Sequence, residues 1–147
     1  MTIVVGVDGS PESRAALLWA VEEGKLRHKA VRAVMAWDYP PTAAAADPYL
    51  VSPGYEAIAF DPQDLRSVAE TRLSAIVEEV VPGAGEVEQV TVEGGAAEAL
   101  LEQAADADMV VVGSRGHGGF SGLLLGSVSQ QVAHHSTCPV VIVRERT

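Results

Sequence analysis

Five short runs of β-branched and other apolar residues recur along the chain, and sequence typical of helices separates them. We predict strands at 3–7, 30–37, 87–92, 109–112 and 139–143. We predict helices at 11–27, 62–80, 96–105 and 127–135. Strands that alternate with helices form a parallel sheet that is covered on both faces. The chain is therefore expected to be a single doubly wound α/β domain over 1–147, a five-stranded Rossmann-like sheet in the order 3-2-1-4-5.

Two segments add detail to this outline. Ser10 and Pro11 form a typical helix start, and a partly apolar stripe of the first helix is predicted to run through Ala15, Leu18, Val21, Glu22 and Leu26. The segment 38–61 is rich in proline and alanine and interrupts the alternation. A loop of this length inside a compact domain is typical of a lid, a partner surface or a disordered segment.

Charge and cysteine content limit the possible binding partners and the cellular compartment. The chain has 20 acidic residues against 10 Lys and Arg, a formal net charge of -10. This balance argues against nucleic acid and anionic membranes as partners, because both require a basic surface. Cys138 is the only cysteine, which excludes an internal disulfide and fits a reducing compartment. With no signal-peptide pattern and no apolar run of the ~18–20 residues that cross a bilayer, we expect a cytoplasmic protein.

A glycine-rich segment, which runs from Gly113 through Gly116 to Gly126 and Ser127, connects the fourth predicted strand with the fourth helix. Glycine lets backbone amides approach an anion closely, and the first turn of a helix attracts negative charge. We therefore predict a phosphate site, with the amides of Gly126, Ser127 and Val128 directed at the anion. Ser127 either caps the helix or donates its hydroxyl to phosphate. The alternative is a structural connection whose glycines only provide unusual backbone angles.

The segment is not a Walker A motif, because no lysine precedes Ser127. Arg115 is its only permanent cation, and it either reaches a phosphate or is a solvated loop charge. In so acidic a chain we expect a triphosphate to bind with Mg²⁺. Asp8, at the end of the first strand, can accept hydrogen bonds from ribose hydroxyls or face the metal. Its alternative role is a turn residue that bonds its own backbone.

The complete spacing G-x2-G-x9-G-S, in this position of a five-stranded α/β chain, resembles the ATP-binding subgroup of the universal stress protein family. The resemblance extends from the early Val-Gly-Val-Asp-Gly-Ser to the closing Cys-Pro-Val-Val-Ile-Val. It implies that the three motif glycines and Ser127 contact ribose and phosphates. It also implies that Asp8 lies in the nucleotide pocket and that Ala36 presents backbone groups to adenine.

The last predicted strand is apolar at nearly every position, and the final strand of a doubly wound sheet is often an edge. An exposed apolar edge favours pairing with another chain, and the family resemblance implies a homodimer through Val140, Val141, Ile142 and Val143. The alternative is that the charged residues after the strand and a covering loop protect it.

Together these features predict an ATP-binding protein that acts as a nucleotide-responsive regulatory or stress switch, with the physiological role taken from the family. Cyclic AMP or another adenine nucleotide fits the same pattern. A slow ATPase is one alternative, for which only Asp8, Arg115 and His117 could serve. An interaction module with a structural glycine loop is the other.

Overall fold

The computed structural model describes residues 1–38, 61–83, 86–116 and 125–145. The strands are β1 (Thr2–Gly6), β2 (Ala30–Trp37), β3 (Val87–Glu93), β4 (Met109–Gly113) and β5 (Val140–Val143). The helices are α1 (Pro11–Arg27), α2 (Pro62–Val80), α3 (Ala96–Gln103) and α4 (Ser127–His135). His117 and nearly all of the proline- and alanine-rich segment lie outside the described residues.

All five strands pair in parallel, in the order β3-β2-β1-β4-β5. The predicted fold class and strand order are confirmed. The chain moves from β1 to β2 and β3 on one side of the sheet and then returns to place β4 on the other side of β1. Ligands of open α/β sheets bind at such a reversal, beyond the carboxyl ends of the strands. The fold therefore directs attention to the ends of β1 and β4.

The sheet has a separate core on each face, which follows from the alternation of side chains along a strand. Ile3 and Val5 point to the face covered by α1 and α2, while Val4 points to the face covered by α3 and α4. All three side chains are fully buried. This arrangement explains why β1 and β4 are continuous apolar runs at Ile3, Val4 and Val5 and at 109–112.

The predicted apolar stripe of α1 is wrong at most of its positions. Leu18 is 44% exposed and Leu26 is 77% exposed, although Val21 is buried. The buried face instead consists mainly of small residues, Ser13, Ala16, Leu17, Ala20, Val21 and Gly24. Small residues let the helix approach the sheet closely: a Cβ on Gly24 would lie 2.7 Å from Val31 Cγ2. Close packing, not hydrophobicity alone, therefore selects the face.

Element boundaries differ from prediction by one or two residues. β1 ends at Gly6, although the amide of Val7 still donates to the carbonyl of Val34 at 2.9 Å. α3 ends at Gln103 rather than Ala105, because the chain leaves it through a tighter turn in which Ala105 N donates to Glu102 O. Among the helices described, none combines the length and the hydropathy needed to span a membrane.

Candidate functional site

A cavity of about 340 Å³ lies at the carboxyl ends of β1 and β4, within the size range of small-molecule sites. Its walls come from the β1–α1 turn, the ends of β2 and β4, α3 and the first turn of α4. Every site residue predicted from the sequence lines it: Asp8, Ala36, Gly113, Arg115, Gly116, Gly126, Ser127 and Val128. The fold thus brings together residues that are far apart in the chain. Whether they contact a nucleotide stays a prediction.

One side of the cavity is apolar, and sequence reasoning missed part of it. Val34 and Val112 are buried and also line the cavity, together with Ala96 and Leu100 of α3. Leu100 packs closely on β1, since a Cβ on Gly6 would lie 2.8 Å from Leu100 Cδ1. An apolar wall opposite polar backbone suits a ligand with a flat ring at one end and charge at the other. Apart from its helical spacing, no local pattern indicates that Leu100 lies at this cavity.

Asp8 has the turn role that the alternative reading assigned to it, and it also lines the cavity. Its Oδ1 accepts a hydrogen bond from Ser10 N at 2.8 Å and another from the Ser10 hydroxyl. Its Oδ2 faces Gly116, where an added Cβ would lie 2.6 Å away. Gly116 is therefore needed so that the loop after β4 can lie directly against this carboxylate.

The motif glycines provide close approach and not unusual backbone angles. The described glycines with positive φ are Gly9, Gly83 and Gly94, and none of these belongs to the motif. A Cβ on Gly113 would lie 2.7 Å from the carbonyl carbon of Glu12, and one on Gly126 would lie 3.3 Å from Arg115 Cα. The purely conformational explanation of these glycines is wrong. They let α1 and the two ends of the loop pack together around the cavity.

The start of α4 corrects two predictions. The N-cap is Gly126, which makes no side-chain cap bond, so Ser127 does not cap the helix but is its first residue and is exposed. The amide of Gly126 donates to the carbonyl of Ser114 at 2.7 Å, so it is not directed at an anion as predicted. The amides of Ser127 and Val128 have no acceptor inside the helix because they belong to its first turn. These two amides remain the candidates for an anion.

Ser114 holds the start of α4 to the sheet. Its amide donates to the carbonyl of Val143 in β5 at 2.8 Å, and its carbonyl accepts from Gly126 N. The buried hydroxyl of Ser129 donates to the same carbonyl, at 3.1 Å, and to that of Gly126, at 3.0 Å. The first turn of α4 is therefore fixed in place before any ligand arrives.

The four helices differ in how their amino-terminal ends are satisfied. α1 is capped by Ser10 and has Glu12 in its first turn, and α2 is capped by Asp61 and has Asp64. α3 has no side-chain cap but has Glu98 in its first turn. α4 has neither a capping side chain nor an acidic residue there. In the part of the chain that the structure describes, α4 is thus the one helix whose positive end is left without a negative partner of its own.

Three arginines lie around the β1–α1 turn. Arg115 lines the cavity, and its Nε is 3.9 Å from Glu12 Oε1. Arg72 of α2 donates to the carbonyl of Asp8 at 3.2 Å, and Arg14 donates to the carbonyl of Gly9 at the same distance. Sequence reasoning missed Arg72, because no local pattern connects it to a turn 64 residues earlier.

The possible metal ligands near the cavity determine how a magnesium ion could bind there. Among residues 1–38, 61–83, 86–116 and 125–145, no three His, Cys, Asp or Glu side chains cluster closely enough to hold a metal. Asp8 is the carboxylate that lines the cavity. One carboxylate suits Mg²⁺ that takes its remaining ligands from phosphates and water, which is its usual mode in nucleotide sites.

The fold and the cavity define a Rossmann-like α/β protein with a prospective anion site at the switch point of the sheet. Residues 1–144 match the model of the universal stress protein family. The chain is also 38% identical, over 146 residues, to a universal stress protein of Mycobacterium tuberculosis, in an alignment that covers 97% of this chain and 45% of that protein. The chain belongs to the universal stress protein family. It spans about half the length of the curated relatives it matches.

Solved structures agree with this assignment. A universal stress protein in complex with cAMP has a TM-score of 0.64 and 29% identity, covering 99% of this chain and 98% of the other. The universal stress protein of Archaeoglobus fulgidus in complex with dAMP has a TM-score of 0.62 and covers 97% of both chains. At 21% identity, the second likeness concerns the fold alone.

Proposed function

We propose that this chain binds an adenine nucleotide, ATP together with Mg²⁺, in the cavity at the ends of β1 and β4, and that occupancy makes it a regulatory stress switch. The observation that carries the proposal is the start of α4. Its first residues, Ser127 and Val128, line the cavity, and it has neither a side-chain cap nor an acidic residue in its first turn. In a chain with a net charge of -10, this is a local site for negative charge, as helix N-termini are in general.

The remaining walls of the cavity suit the other parts of such a ligand. The backbone of Ala36 and the apolar side chains of Val34 and Leu100 suit a flat base. The carboxylate of Asp8 suits ribose hydroxyls or a magnesium ion. The relative solved with cAMP supports adenine as the base, and the motif spacing supports a chain of phosphates at Ser127 and Val128. Magnesium, when bound, would lower the repulsion between the phosphates and this acidic protein.

An acidic residue placed at the start of α4 tests the proposal. In Ser127→Asp, the new carboxylate occupies the positive end of the helix and repels phosphate, so we expect ATP to bind at least tenfold more weakly. Ser127→Asn has the shape of the aspartate variant without the charge, and it should bind ATP severalfold more tightly than Ser127→Asp. Isothermal titration calorimetry with magnesium present measures both.

The stability of Ser127→Asp shows whether a loss of ATP binding results from a loss of folding. An acidic residue in the first turn stabilises a helix, by about 0.3–1 kcal/mol, so Ser127→Asp should unfold in urea no earlier than the unmodified protein. Equal ATP affinity in the Asp and Asn variants would contradict a phosphate site at α4. Absence of ATP binding by the unmodified protein would contradict the proposed function as a whole.

We also propose that the protein is a cytoplasmic homodimer that pairs through β5. The carbonyl of Pro139 accepts from the amide of Val110 in β4, and the carbonyl of Val143 accepts from the amide of Ser114, the residue that follows β4. Because alternate residues of a strand point to the same side, Val140 and Ile142 direct their backbone groups away from β4. No strand covers that side of β5 within the described residues. An apolar edge of this kind favours pairing with a second copy.

Proline at an outward position tests the dimer. Ile142→Pro removes an N–H that would bond the partner strand, so we expect light scattering to change from the mass of two chains to the 15.3 kDa of one. Ile142→Val keeps the N–H and should leave the mass of the dimer unchanged. A single-chain mass for the unmodified protein at micromolar concentration would contradict this part of the proposal.

A further inference from the structure

The acidic side chains at and near the cavity disfavour binding of the negatively charged nucleotide proposed above. Among the described residues that line the cavity, Arg115 has the one permanent positive charge and Asp8 has a negative charge. A second carboxylate, that of Glu12, is not part of the cavity lining, but its Oε1 lies 3.9 Å from Arg115 Nε. A phosphate that approaches Arg115 therefore meets a guanidinium group that already faces a carboxylate of the protein.

The contact between Glu12 and Arg115 has the geometry of an interaction that a ligand can replace. The separation of 3.9 Å between Arg115 Nε and Glu12 Oε1 is too long for a hydrogen bond. The side chain of Arg115 is 44% exposed, whereas that of Glu12 is 14% exposed. An ion pair of this length with a half-exposed arginine adds little to folding stability. The electrostatic effect on a bound anion is the more important consequence of this contact.

Packing keeps the carboxylate of Glu12 close to the loop. Gly113 lies against the backbone of Glu12, so closely that a Cβ there would be 2.7 Å from the Glu12 carbonyl carbon. Arg115 follows Gly113 by two residues. The helix turn that bears Glu12 and the strand end that leads to Arg115 therefore share a close backbone contact, which keeps the base of the Glu12 side chain near Arg115.

We propose that Glu12 is a specificity-determining residue whose carboxylate competes with ligand phosphate for Arg115 and so weakens the binding of phosphorylated adenine nucleotides relative to adenosine. The inference rests on the proposed function, since it concerns the same cavity. Its effect is to keep the affinity for ATP below what the amides of α4 and Arg115 would otherwise provide. Occupancy then responds to changes in nucleotide concentration instead of staying saturated.

The test compares Glu12→Gln with the unmodified protein, using ATP and adenosine as probes in calorimetry at constant magnesium and ionic strength. Glutamine keeps the shape of the side chain and removes its charge. We expect ATP to bind about fivefold more tightly and adenosine to bind with unchanged affinity. Glu22→Gln is the matched control: it removes the same charge from an exposed position ten residues further along α1, and it should change neither affinity.

A second background shows whether the effect acts through Arg115. In Arg115→Gln, the change Glu12→Gln should no longer tighten ATP binding fivefold, because no guanidinium group is left to compete for. An equal gain in both backgrounds would mean general repulsion by Glu12 and would overturn the proposal. Weaker ATP binding in Glu12→Gln would mean that Glu12 positions Arg115 for the ligand, which also overturns it.

Two further outcomes distinguish failure of the proposed role of Glu12 from failure of the proposed nucleotide binding. Unchanged ATP affinity in Glu12→Gln, with earlier unfolding in urea, would show that Glu12 serves only the helix dipole of α1, and it would overturn the competition while leaving nucleotide binding intact. Absence of binding of both probes by the unmodified protein would overturn the proposed function, and the role of Glu12 with it.

Discussion

The helices α1 and α4 begin at the same edge of the sheet, beside the same cavity, and their first turns are built in opposite ways. At α1, the Ser10 hydroxyl accepts from Ser13 N at 3.3 Å, Asp8 accepts from Ser10, and Glu12 adds a negative charge. At α4, the N-cap is a glycine and the first turn has no acidic residue. Within the described residues, the start of α1 is satisfied by its own chain and the start of α4 is not.

The comparison explains how a protein with a net charge of -10 can contain a site for a polyanion. Long-range repulsion depends on the whole charge and is screened by salt within about 8–10 Å. Binding depends on the few groups in contact, and those at α4 are amides without acidic neighbours in their own turn. The placement of the acidic residues therefore matters more for binding than their number.

The largest change in stability is expected from a substitution at Gly113, where the end of β4 contacts the first turn of α1. In Gly113→Ala, the new Cβ would lie 2.7 Å from the Glu12 carbonyl carbon and 2.9 Å from its oxygen, so the backbone of α1 must move away from β4. We expect a loss of about 2–3 kcal/mol in the free energy of unfolding, measured in urea. Gly95→Ala is the control, because a Cβ there has no atom within 4 Å; it should lose no more than about 1 kcal/mol. Equal losses would mean that the contact is not tight.

A smaller change in stability is expected when the serine at the start of α1 or of α4 is replaced by alanine, and the two losses can be compared. Ser10→Ala removes a buried cap and should cost about 1 kcal/mol in the free energy of unfolding. Ser127→Ala removes an exposed hydroxyl that makes no cap bond and should change stability by no more than about 0.5 kcal/mol. ATP affinity should fall a few-fold in Ser127→Ala if its hydroxyl donates to phosphate. A loss of stability in Ser127→Ala as large as that in Ser10→Ala would remove the distinction between α1 and α4.

The fold could be predicted from the sequence because each step was local. The apolar runs and the helix start at Ser10 and Pro11 are properties of a few neighbouring residues, and the parallel sheet follows from the alternation of strands and helices. Eight of the residues that line the cavity could also be predicted, because they lie at strand ends or in one motif whose spacing resembles that of a known family. Parallel strands bring such ends to one edge of the sheet.

What could not be predicted depends on distances between segments. The amide of Gly126 bonds Ser114 and not an anion, and nothing in the motif indicates that choice. Arg72 and Leu100 reach the region of Asp8 and Gly6 from other helices. The buried face of α1 is selected by how closely small residues approach the sheet, which a scale of hydrophobicity does not measure.

Ser114 gives the molecule a direct connection between its two proposed interaction sites. The amide of Ser114 donates to the carbonyl of Val143 at the end of β5. The carbonyl of Ser114 accepts from the amide of Gly126 at the start of α4. The start of α4 and the end of β5 are therefore linked through the two backbone hydrogen bonds of one residue. In a dimer joined through β5, such a connection makes ligand affinity and subunit affinity reciprocal: whatever nucleotide does to the strength of association, association must do to the retention of nucleotide.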